Sequence, residues 1–390
     1  MSESHAPGVA LSVSARPGSD LYEVMQEAMA EAGGWWSFER FMAAALYTPG
    51  LGYYSGPRSP FGLMPDSGSD FVTAPELSPL FGAALAVQVL QALQSTGTHT
   101  VYEFGAGTGA LAEQLIEALG ASLQSYVIVD LSGTLRQRQA QRLARFADRI
   151  RWLDRWPEDL QGVVVGNEVL DAMPVALLHW DGQAWWERGV AAGVQPLEWV
   201  WSDRPTDRRP PVEGREPQPQ EDEAMAWGQR FVPGTVVEIH PQAEAFVRTL
   251  AQRLSRGAAF FIDYGFPERE YYHPQRTGGT LMCHQAHRSD TDPLQAVGLK
   301  DITAHVNFTG IALAAQEAGL AVLGYTSQAR FLFNCGLADL MAQADIPARA
   351  HAARLVTEHE MGELFKVIGL AAGEGFEALG FAQGDRSHTL

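Results

Sequence analysis

Short apolar stretches alternate with amphipathic ones along residues 100–166, and this alternation limits the possible folds more than any other feature of the sequence. The apolar stretches are typical of buried β-strands, and the stretches between them carry apolar residues at helical spacing. Strands that alternate with helices form parallel sheets covered on both faces, so the sequence predicts an α/β fold. The predicted strands are Thr100–Phe104, Tyr126–Asp130, Ile150–Leu153, Gly162–Gly166 and Ala258–Asp263, and the predicted helices are Ala110–Leu119 and Gly133–Ala147.

Two helices and a long loop precede this region. Leu21–Ala32 and Ser37–Leu46 show helical periodicity, the second beginning with a serine suited to an N-cap, and an Ala/Leu-rich helix is predicted over 79–94. Between them, Tyr47–Pro79 is rich in Gly and Pro. Loops of this length within a domain are usually either functional or disordered, and the segment Asp70–Glu76 favours a functional loop.

The alternation stops between residues 175 and 235. His179–Val190 and Leu197–Trp201 are predicted to be antiparallel strands around a turn at Asp181–Gly182, and Arg204–Gln220 has the Pro-rich composition of a surface loop. This insertion either docks a protein substrate or only covers the sheet. We divide the chain into a flexible tail, N-terminal helices with an active-site loop, a core in two pieces, the insertion and a C-terminal extension. These segments are residues 1–20, 21–98, 99–174 with 236–333, 175–235 and 334–390.

The composition argues against several classes of protein. The chain has 390 residues with 28 Lys and Arg against 46 Asp and Glu, a net charge of −18, whereas non-specific nucleic-acid binders carry basic surfaces. No apolar run reaches the roughly 18 residues of a membrane helix, and the first twenty residues have neither a signal-peptide nor a transit-peptide pattern. Cys283 and Cys335 are too few for a disulfide framework. We expect a soluble, cytoplasmic protein without a metal site.

A glycine-rich turn, Glu103-Phe104-Gly105-Ala106-Gly107-Thr108-Gly109, joins the first predicted strand of the core to its first helix. Glycines allow a tight turn and a close approach of the backbone to a ligand, and the helix N-terminus adds N–H donors. Gly105, Gly107 and Ala110 also match the dinucleotide fingerprint G-x-G-x-x-A, so the turn alone does not choose between cofactors.

Three acidic residues narrow the choice of cofactor. Glu103 ends the first strand, where a carboxylate would repel a pyrophosphate but suit a cation such as the ammonium group of S-adenosylmethionine. Asp130 ends the second strand and could accept hydrogen bonds from both ribose hydroxyls, although an acid at this position serves NAD equally well. Asp154 ends the third strand, where it could reach an adenine amino group or simply be a solvated turn residue.

The fourth strand ends in a polar block, Gly166–Pro174, that contains Asn167, Glu168 and Asp171. In open parallel sheets, ligands bind beyond the carboxyl ends of the strands. These side chains could orient a nucleophilic amine or hold a guanidinium group through two hydrogen bonds. Helix capping by Asn167 and Asp171 is the structural alternative.

With these blocks, the sequence resembles the MidA/NDUFAF7-type family of S-adenosylmethionine-dependent methyltransferases over most of its length. The matching segments occur in the order found in the family. They are Leu51–Tyr54, Asp70–Gly82, Glu103–Gly109, Gly166–Val175, Asp263–Gly265, Gly279–Leu281, Asp301–Thr303, His305–Val306, Met361–Gly362 and Phe365–Val367.

The resemblance implies a Rossmann-like class I methyltransferase core and methyl transfer from S-adenosylmethionine to a protein side chain, with arginine favoured. Mitochondrial members are associated with arginine methylation of a respiratory complex I subunit, so a respiratory complex subunit is the implied partner. Together with the residue patterns, it suggests three groups of site residues. The cofactor group is Glu103, Gly105, Gly107, Gly109, Asp130, Asp154 and Asn167, the lid and substrate group is Asp70, Thr73, Pro75, Glu76 and Tyr264, and the catalytic pair is Glu168 and Asp171.

Two positions depart from the family pattern. Ser69 stands where members usually have Gly before the acid at Asp70, and Asn307 stands where many carry an acid after His-Val. If that acid holds a cationic acceptor, its loss would weaken the case for arginine. Two other functions stay open: a non-catalytic assembly factor that binds the cofactor for structure, and a nicotinamide-dependent oxidoreductase, which Glu103 disfavours.

Overall fold

The computed structural model describes residues 19–56, 72–130, 133–211, 227–228 and 230–390. Its strands form three sheets. Numbered along the chain, they are β1 (Trp36–Ser37), β2 (Thr100–Phe104), β3 (Ser125–Val129), β4 (Ile150–Leu153), β5 (Leu160–Asn167), β6 (Ala176–Trp180), β7 (Trp185–Ala192), β8 (Trp199–Pro205), β9 (Thr235–Ile239), β10 (Leu254–Phe266), β11 (Met282–Gln285), β12 (Arg288–Asp290), β13 (Asp301–Thr303), β14 (Val306–Asn307), β15 (Leu320–Ser327) and β16 (Phe365–Ala372).

The helices predicted over 21–32, 37–46, 79–94 and 110–119 are confirmed to within two residues at each end. The helix predicted over 133–147 ends at Arg142 and is followed by a 3₁₀ turn. None of the helices in the described ranges is long and apolar enough to span a membrane. They are α1 (Ser19–Glu31), α2 (Phe38–Tyr47), α3 (Ala74–Leu77), α4 (Pro79–Thr96), α5 (Ala110–Leu119), α6 (Gly133–Arg142), α7 (Pro241–Arg253), α8 (Glu268–Tyr271), α9 (Phe308–Glu317), α10 (Gln328–Asn334), α11 (Leu337–Gln343) and α12 (Ile346–Val356), with 3₁₀ turns at Gly120–Ser122, Ala144–Phe146, Leu379–Phe381 and Ser387–Thr389 and a π turn at Glu358–Gly362.

The central sheet has the strand order β15-β16-β10-β5-β2-β3-β4, with β14 beside the end of β10. The strands β10, β5, β2, β3 and β4 are parallel to their neighbours in this row, whereas β16 runs antiparallel to both β10 and β15. This sheet confirms the predicted α/β class with a mostly parallel, Rossmann-like core.

Two apolar layers cover the sheet, one on each face. Successive side chains of a strand point to opposite faces, so Val163 and Val165 of β5 pack in the layer that contains Leu115 of α5, while Val164 packs in the layer that contains Val247 of α7. Continuous apolar runs are required because both faces are buried.

A second, antiparallel sheet has the order β1-β7-β6-β9, with β8 paired to β7. It joins the insertion to the N-terminal segment, because β1 lies between α1 and α2. Its hairpin at Asp181–Gly182 confirms the predicted turn, and the Asp181 carboxylate accepts hydrogen bonds from the N–H groups of Gln183 and Ala184 at 2.7 and 2.8 Å. Met25 of α1 and Phe41 of α2 pack in one apolar cluster with this sheet. A third, small sheet has the order β12-β11-β13.

The segments that the sequence suggested do not follow these sheets. Residues 334–390 include β16, which lies between β10 and β15 in the central sheet, so this segment is part of the core rather than an extension. The insertion sheet includes β9, which runs four residues beyond the boundary at 235. Both differences have the same cause, because strand pairing joins segments that are far apart in sequence. The tail 1–20 lies outside the described residues except for Ser19 and Asp20, which begin α1.

Candidate active site

A cavity of about 660 Å³ opens at the carboxyl ends of β2, β3, β5 and β10. This is the edge where ligands bind in open parallel sheets. Its walls are formed by the end of the loop before α3, the glycine-rich turn, the block after β5 and the small third sheet. The cavity therefore brings together most of the residues that the sequence singled out.

The glycine-rich turn forms the floor of the cavity. Gly105 and Gly107 line it with φ of 65° and 53°, in the left-handed region that glycine adopts without strain. A Cβ atom on Gly105 would lie 3.1 Å from Val169 Cγ2, so a side chain there would crowd both the turn and the cavity. Gly109 caps α5 with φ of 84° and does not line the cavity.

Glu103 lies at the end of β2 with a side chain that is only 3% exposed and lines the cavity. The Tyr126 hydroxyl donates a hydrogen bond of 2.7 Å to Glu103 Oε2. Burial raises the pKa of Glu103 to about 8, although the Tyr126 hydrogen bond acts to lower it. A carboxyl group in such a position gains most from a cation that enters the cavity.

Asp130 lies just after β3, lines the cavity and is held by a residue that the sequence did not reveal. The buried Gln139 of α6 donates from Nε2 to Asp130 Oδ2 at 2.9 Å and to the Gly107 carbonyl at 3.0 Å. Its Oε1 accepts from the Trp152 indole at 3.0 Å. A glutamine within a helix of Gln and Arg residues gives no local signal for this role, because only the packing of α6 against the turn selects it.

Asp154 is exposed and does not line the cavity. The side chains that β4 and its following turn bring to the cavity are those of Arg155 and Trp156. The Trp156 ring lies 4.5 Å from that of Phe104 and 4.9 Å from that of Phe246, centroid to centroid. The residues that face the cavity after β4 therefore lie one to two positions beyond Asp154, and they bring an arginine and an aromatic ring rather than a carboxylate.

The predicted lid residues Thr73, Pro75 and Glu76 line the cavity, whereas Asp70 lies outside the described residues. Glu76 fixes this segment to the glycine-rich turn. Its Oε1 accepts hydrogen bonds from the Thr108 hydroxyl and from Arg142 Nη1, the latter at 3.0 Å. These contacts tie α3, the turn and α6 together at the mouth of the cavity.

The block after β5 presents Asn167, Glu168 and Asp171 to the cavity. Glu168 has φ of 54°, an unusual backbone conformation for a residue other than glycine. Asn167 Nδ2 donates to Glu168 Oε1 at 3.0 Å. Burial, and after it the charge of Asp171, raises the pKa of Glu168 to about 8. Non-glycine residues in strained backbone conformations cluster at active sites.

Asp171 is 4% exposed and accepts a hydrogen bond from the Tyr264 hydroxyl. Burial raises the pKa of Asp171 to about 6, against the effect of the Tyr264 hydrogen bond. Two buried oxygens in this part of the cavity, Asp171 Oδ1 and Asn167 Oδ1, have no hydrogen-bond partner. Buried acceptors of this kind need donors, which a cationic ligand would supply.

The cavity is also lined by residues that the sequence placed only in matching blocks or loops. The Tyr54 hydroxyl donates to Asp301 Oδ1 at 2.8 Å, and the Tyr47 hydroxyl donates to the Ala172 carbonyl at 2.8 Å. His305 also lines the cavity, with its ring centroid 4.9 Å from that of Tyr264. Burial, and after it a nearby arginine, lowers the pKa of His305 to about 4, so this imidazole is neutral at physiological pH.

Asn307 does not line the cavity. Its side chain caps α9 by accepting a hydrogen bond from the Gly310 N–H at 3.3 Å. The acid expected at this position to hold a cationic acceptor would therefore lie outside the cavity, whereas Asp301 lies within it. The departure from the family pattern at Asn307 does not remove a carboxylate from the site.

These residues fit S-adenosylmethionine. Glycines at the turn leave room for a ligand close to the backbone, and Asp130 is oriented at the end of β3. The buried carboxyl groups of the cavity, with the unpartnered oxygens of Asp171 and Asn167, suit the positive charges of a sulfonium and an ammonium group. Within the described ranges, no group of three His, Cys, Asp or Glu side chains has the arrangement of a metal site.

Comparison with known proteins agrees with this geometry. A Danio rerio protein named "Protein arginine methyltransferase NDUFAF7, mitochondrial" is 27% identical over 85% of this chain and 82% of its own length. The Homo sapiens protein of that name is 28% identical over 76% of this chain and 69% of its own length. The crystal structure of a Burkholderia thailandensis protein bound to S-adenosyl-homocysteine is 50% identical, covers 96% of this chain and 97% of its own, and superposes with a TM-score of 0.88.

The family model for S-adenosyl-L-methionine-dependent methyltransferases matches residues 84–326, from α4 to the end of β15. This stretch contains the glycine-rich turn, the block after β5 and the small third sheet. The cofactor of this protein is S-adenosylmethionine, as the resemblance to MidA/NDUFAF7-type proteins predicts. The chain belongs to the family of S-adenosyl-L-methionine-dependent methyltransferases.

Proposed function

We propose that this methyltransferase modifies an arginine side chain of a protein. The observation that carries the proposal is that three acids, Glu168, Asp171 and Asp301, line the cavity and lie close enough for the charges of Asp171 and Asp301 to raise the pKa of Glu168. Carboxylates bind guanidinium groups through paired, charge-assisted hydrogen bonds. A cation of this kind would also supply the donors that the buried oxygens of Asp171 and Asn167 lack.

We assign cofactor binding to the turn and to the two strand ends beside it. Gly105 and Gly107 give close access to the backbone, Glu103 faces the cofactor's ammonium group, and Asp130 accepts its ribose hydroxyls. Asn167 lies between this region and the acceptor region. Gly109 belongs to the turn as the N-cap of α5 and does not line the cavity. The exposed position of Asp154 gives no support for a contact with adenine.

Bound S-adenosylmethionine supplies an electrophilic methyl group on a sulfonium. The task of the protein is to align the acceptor nitrogen with that carbon and to receive the proton that the guanidinium releases. Glu168 is our first choice for the proton acceptor, because its pKa of about 8 is matched to neutral pH, and Asp171 with a pKa of about 6 is the second. Tyr264 orients Asp171 through its hydroxyl group.

The names of the Danio rerio and Homo sapiens relatives support arginine as the acceptor and describe those proteins as mitochondrial. We extend the proposal to a respiratory complex subunit as the protein substrate, which the family resemblance implies. The two cysteines of the chain are buried and free, which suits a reducing compartment and our expectation of a cytoplasmic location.

The proposal is tested with purified protein, methyl-labelled S-adenosylmethionine and cell extract, followed by amino-acid analysis of the labelled proteins. We expect label in methylated arginine. Glu168→Gln should reduce labelling by about a hundredfold while its affinity for S-adenosyl-homocysteine stays close to that of the wild type. The matched control is Glu158→Gln, which changes an exposed acid before β5.

Two outcomes would contradict the proposal. Label in another amino acid would reject arginine but keep methyl transfer. Tight binding of S-adenosyl-homocysteine without label in any protein would favour the second function, a non-catalytic assembly factor that holds the cofactor for structure.

A further inference from the structure

The conformation of the Glu168 loop depends on a residue that does not line the cavity. Glu168 is in the left-handed region, with its N–H bound to the Ile262 carbonyl at 2.9 Å. The next three N–H groups, those of Val169, Leu170 and Asp171, turn away from the cavity. A chain of three consecutive N–H groups that point the same way needs a strong acceptor when it is buried.

Asp263 of β10 is that acceptor. Its Oδ2 accepts from the N–H groups of Val169 at 3.1 Å, Leu170 at 2.9 Å and Asp171 at 3.2 Å, and its Oδ1 accepts from the Tyr264 N–H at 3.0 Å. The side chain is fully buried. One carboxylate therefore fixes the backbone of the loop that carries both proposed catalytic residues and the backbone of the tyrosine that orients one of them.

We propose that Asp263 is a positioning residue for methyl transfer: it holds Glu168 in its left-handed conformation and fixes the loop that carries Glu168 and Asp171. This inference rests on the proposed function, because it assumes that Glu168 and Asp171 face the transferred methyl group. The inference adds Asp263, which does not line the cavity and acts through its hydrogen bonds to the backbone of the loop.

Asp263 lies close to the acids of the cavity. Burial, and after it the charges of Asp171 and Glu168, raises the pKa of Asp263 well above its ordinary range, against the effect of the loop N–H groups. The acids that act on Glu168 are Asp171 on the same loop and Asp301 on the small sheet, and both favour its protonated form. Asn167 and the Ala74 N–H act in the opposite direction as hydrogen-bond donors.

The basic side chains that line the cavity in the described residues are those of Arg155, His284 and His305. Burial lowers the pKa of His305 to about 4, so it carries no charge that would offset the acids near neutral pH.

A binding measurement separates these effects without the methyl acceptor. The probes are S-adenosyl-homocysteine and sinefungin, a cofactor analogue that carries a primary amine where the cofactor carries its sulfonium methyl. The ratio of their dissociation constants measures how strongly the site prefers a cation at the methyl position. In the wild type, this preference should rise with pH as Glu168 and Asp171 ionise.

Three variants are compared by calorimetry between pH 5.5 and 8.5. Glu168→Gln should reduce the preference for the amine by about tenfold. Asp263→Ala should reduce it to a similar extent at every pH, because the loop loses its acceptor. Asp263→Asn keeps one acceptor oxygen but loses the second, which accepts from the Tyr264 N–H, so it should reduce the preference by a smaller factor, about threefold. Affinity for S-adenosyl-homocysteine, which stays near wild type in all three, shows that each variant is folded.

The outcomes separate this inference from the proposed function. If Glu168→Gln leaves the preference unchanged, the loop does not face the methyl group, and both the proposed function and the role of Asp263 are rejected. If Glu168→Gln reduces it but Asp263→Ala does not, only the positioning role is rejected. If Asp263→Ala does not fold, Asp263→Asn decides: an unchanged preference for the amine overturns the inference, and a reduced preference supports it.

Discussion

Gln139 and Asp130 form a hydrogen bond of 2.9 Å that fixes the carboxylate at the end of β3. The orientation of the Gln139 amide follows from its third contact, because the Trp152 indole N–H can only donate and so must meet Gln139 Oε1. The amide NH₂ therefore faces Asp130 and the Gly107 carbonyl together. A single buried side chain links the proposed ribose acceptor to the glycine-rich turn.

We predict that Gln139→Ala weakens the binding of S-adenosyl-homocysteine by about tenfold. The variant leaves the Trp152 N–H and the Gly107 carbonyl without a partner and lets the Asp130 carboxylate rotate. Calorimetry of the purified variant measures the effect. Gln141→Ala is the matched control, since Gln141 is an exposed glutamine on the same helix. Equal affinities for the two variants would show that the Gln139 contacts do not support the cofactor.

Gly105 allows a second matched comparison. Gly105→Ala and Gly97→Ala both place a methyl group on a backbone of positive φ, 65° and 61°, so each should lower the free energy of unfolding by about 1 kcal/mol. A Cβ atom at Gly97 would meet nothing within 4 Å, whereas one at Gly105 would lie 3.1 Å from Val169. Only Gly105→Ala should weaken binding of S-adenosyl-homocysteine, by about tenfold. Similar binding by the two variants would contradict a close approach of the ligand at Gly105.

Glu103 predicts how the stability of the ligand-free protein depends on pH. Its pKa is raised from 4.5 to about 8 by burial, so the folded state binds more protons than the unfolded state between these values. Stability is therefore lost as the pH rises through this range. Between pH 6 and 8.5, this group alone should lower the free energy of unfolding by on the order of 2 kcal/mol.

Glu103→Gln should remove that part of the slope, because a glutamine can still accept the Tyr126 hydrogen bond but does not ionise. Denaturant unfolding of the wild type, Glu103→Gln and the exposed-site control Glu158→Gln at the two pH values measures it. Parallel pH profiles for all three proteins would mean that Glu103 ionises normally in the folded state.

Arg142 joins the segment before α4 to the glycine-rich turn. It contacts Glu76 at 3.0 Å and the Thr108 hydroxyl at 2.9 Å, whereas the neighbouring Arg145 forms its ion pairs with two acids of α5. We expect Arg142→Met to weaken S-adenosyl-homocysteine binding about fivefold, because Glu76 loses its cation beside the turn. Arg145→Met should change binding less than twofold, since exposed ion pairs contribute little. A larger effect of Arg145→Met on calorimetric affinity would contradict this assignment.

The parts of the site that the sequence predicted are those encoded within one strand and the turn that follows it. Glu103, Gly105, Gly107, Asp130 and Glu168 are all within a few residues of a strand end, and the parallel sheet places such ends at one edge. Asp154 shows the limit of this reasoning. The position of the turn after β4 was predicted, but the residues that face the cavity there are Arg155 and Trp156.

Contacts between distant segments could not be predicted in this way. Tyr54 and Asp301 are 247 residues apart in sequence and yet share a hydrogen bond at the cavity wall. Gln139 lies outside every segment that the sequence suggested as functional. Asp263 begins a segment that matches the family, but the sequence predicted no role for its side chain. Their roles depend on the side-chain direction of one helix and on the pairing of β10 with β5.

The sequence by itself determined the α/β class, the glycine-rich turn and the polar block after β5, because each follows from local periodicity and from residues adjacent in the chain. Only the tertiary structure decided that residues 365–372 lie inside the central sheet and that Asp301, rather than position 307, brings a carboxylate to the cavity. The reason is physical: strand order and the meeting of distant side chains follow from the burial of apolar faces against each other, which no short stretch of sequence specifies.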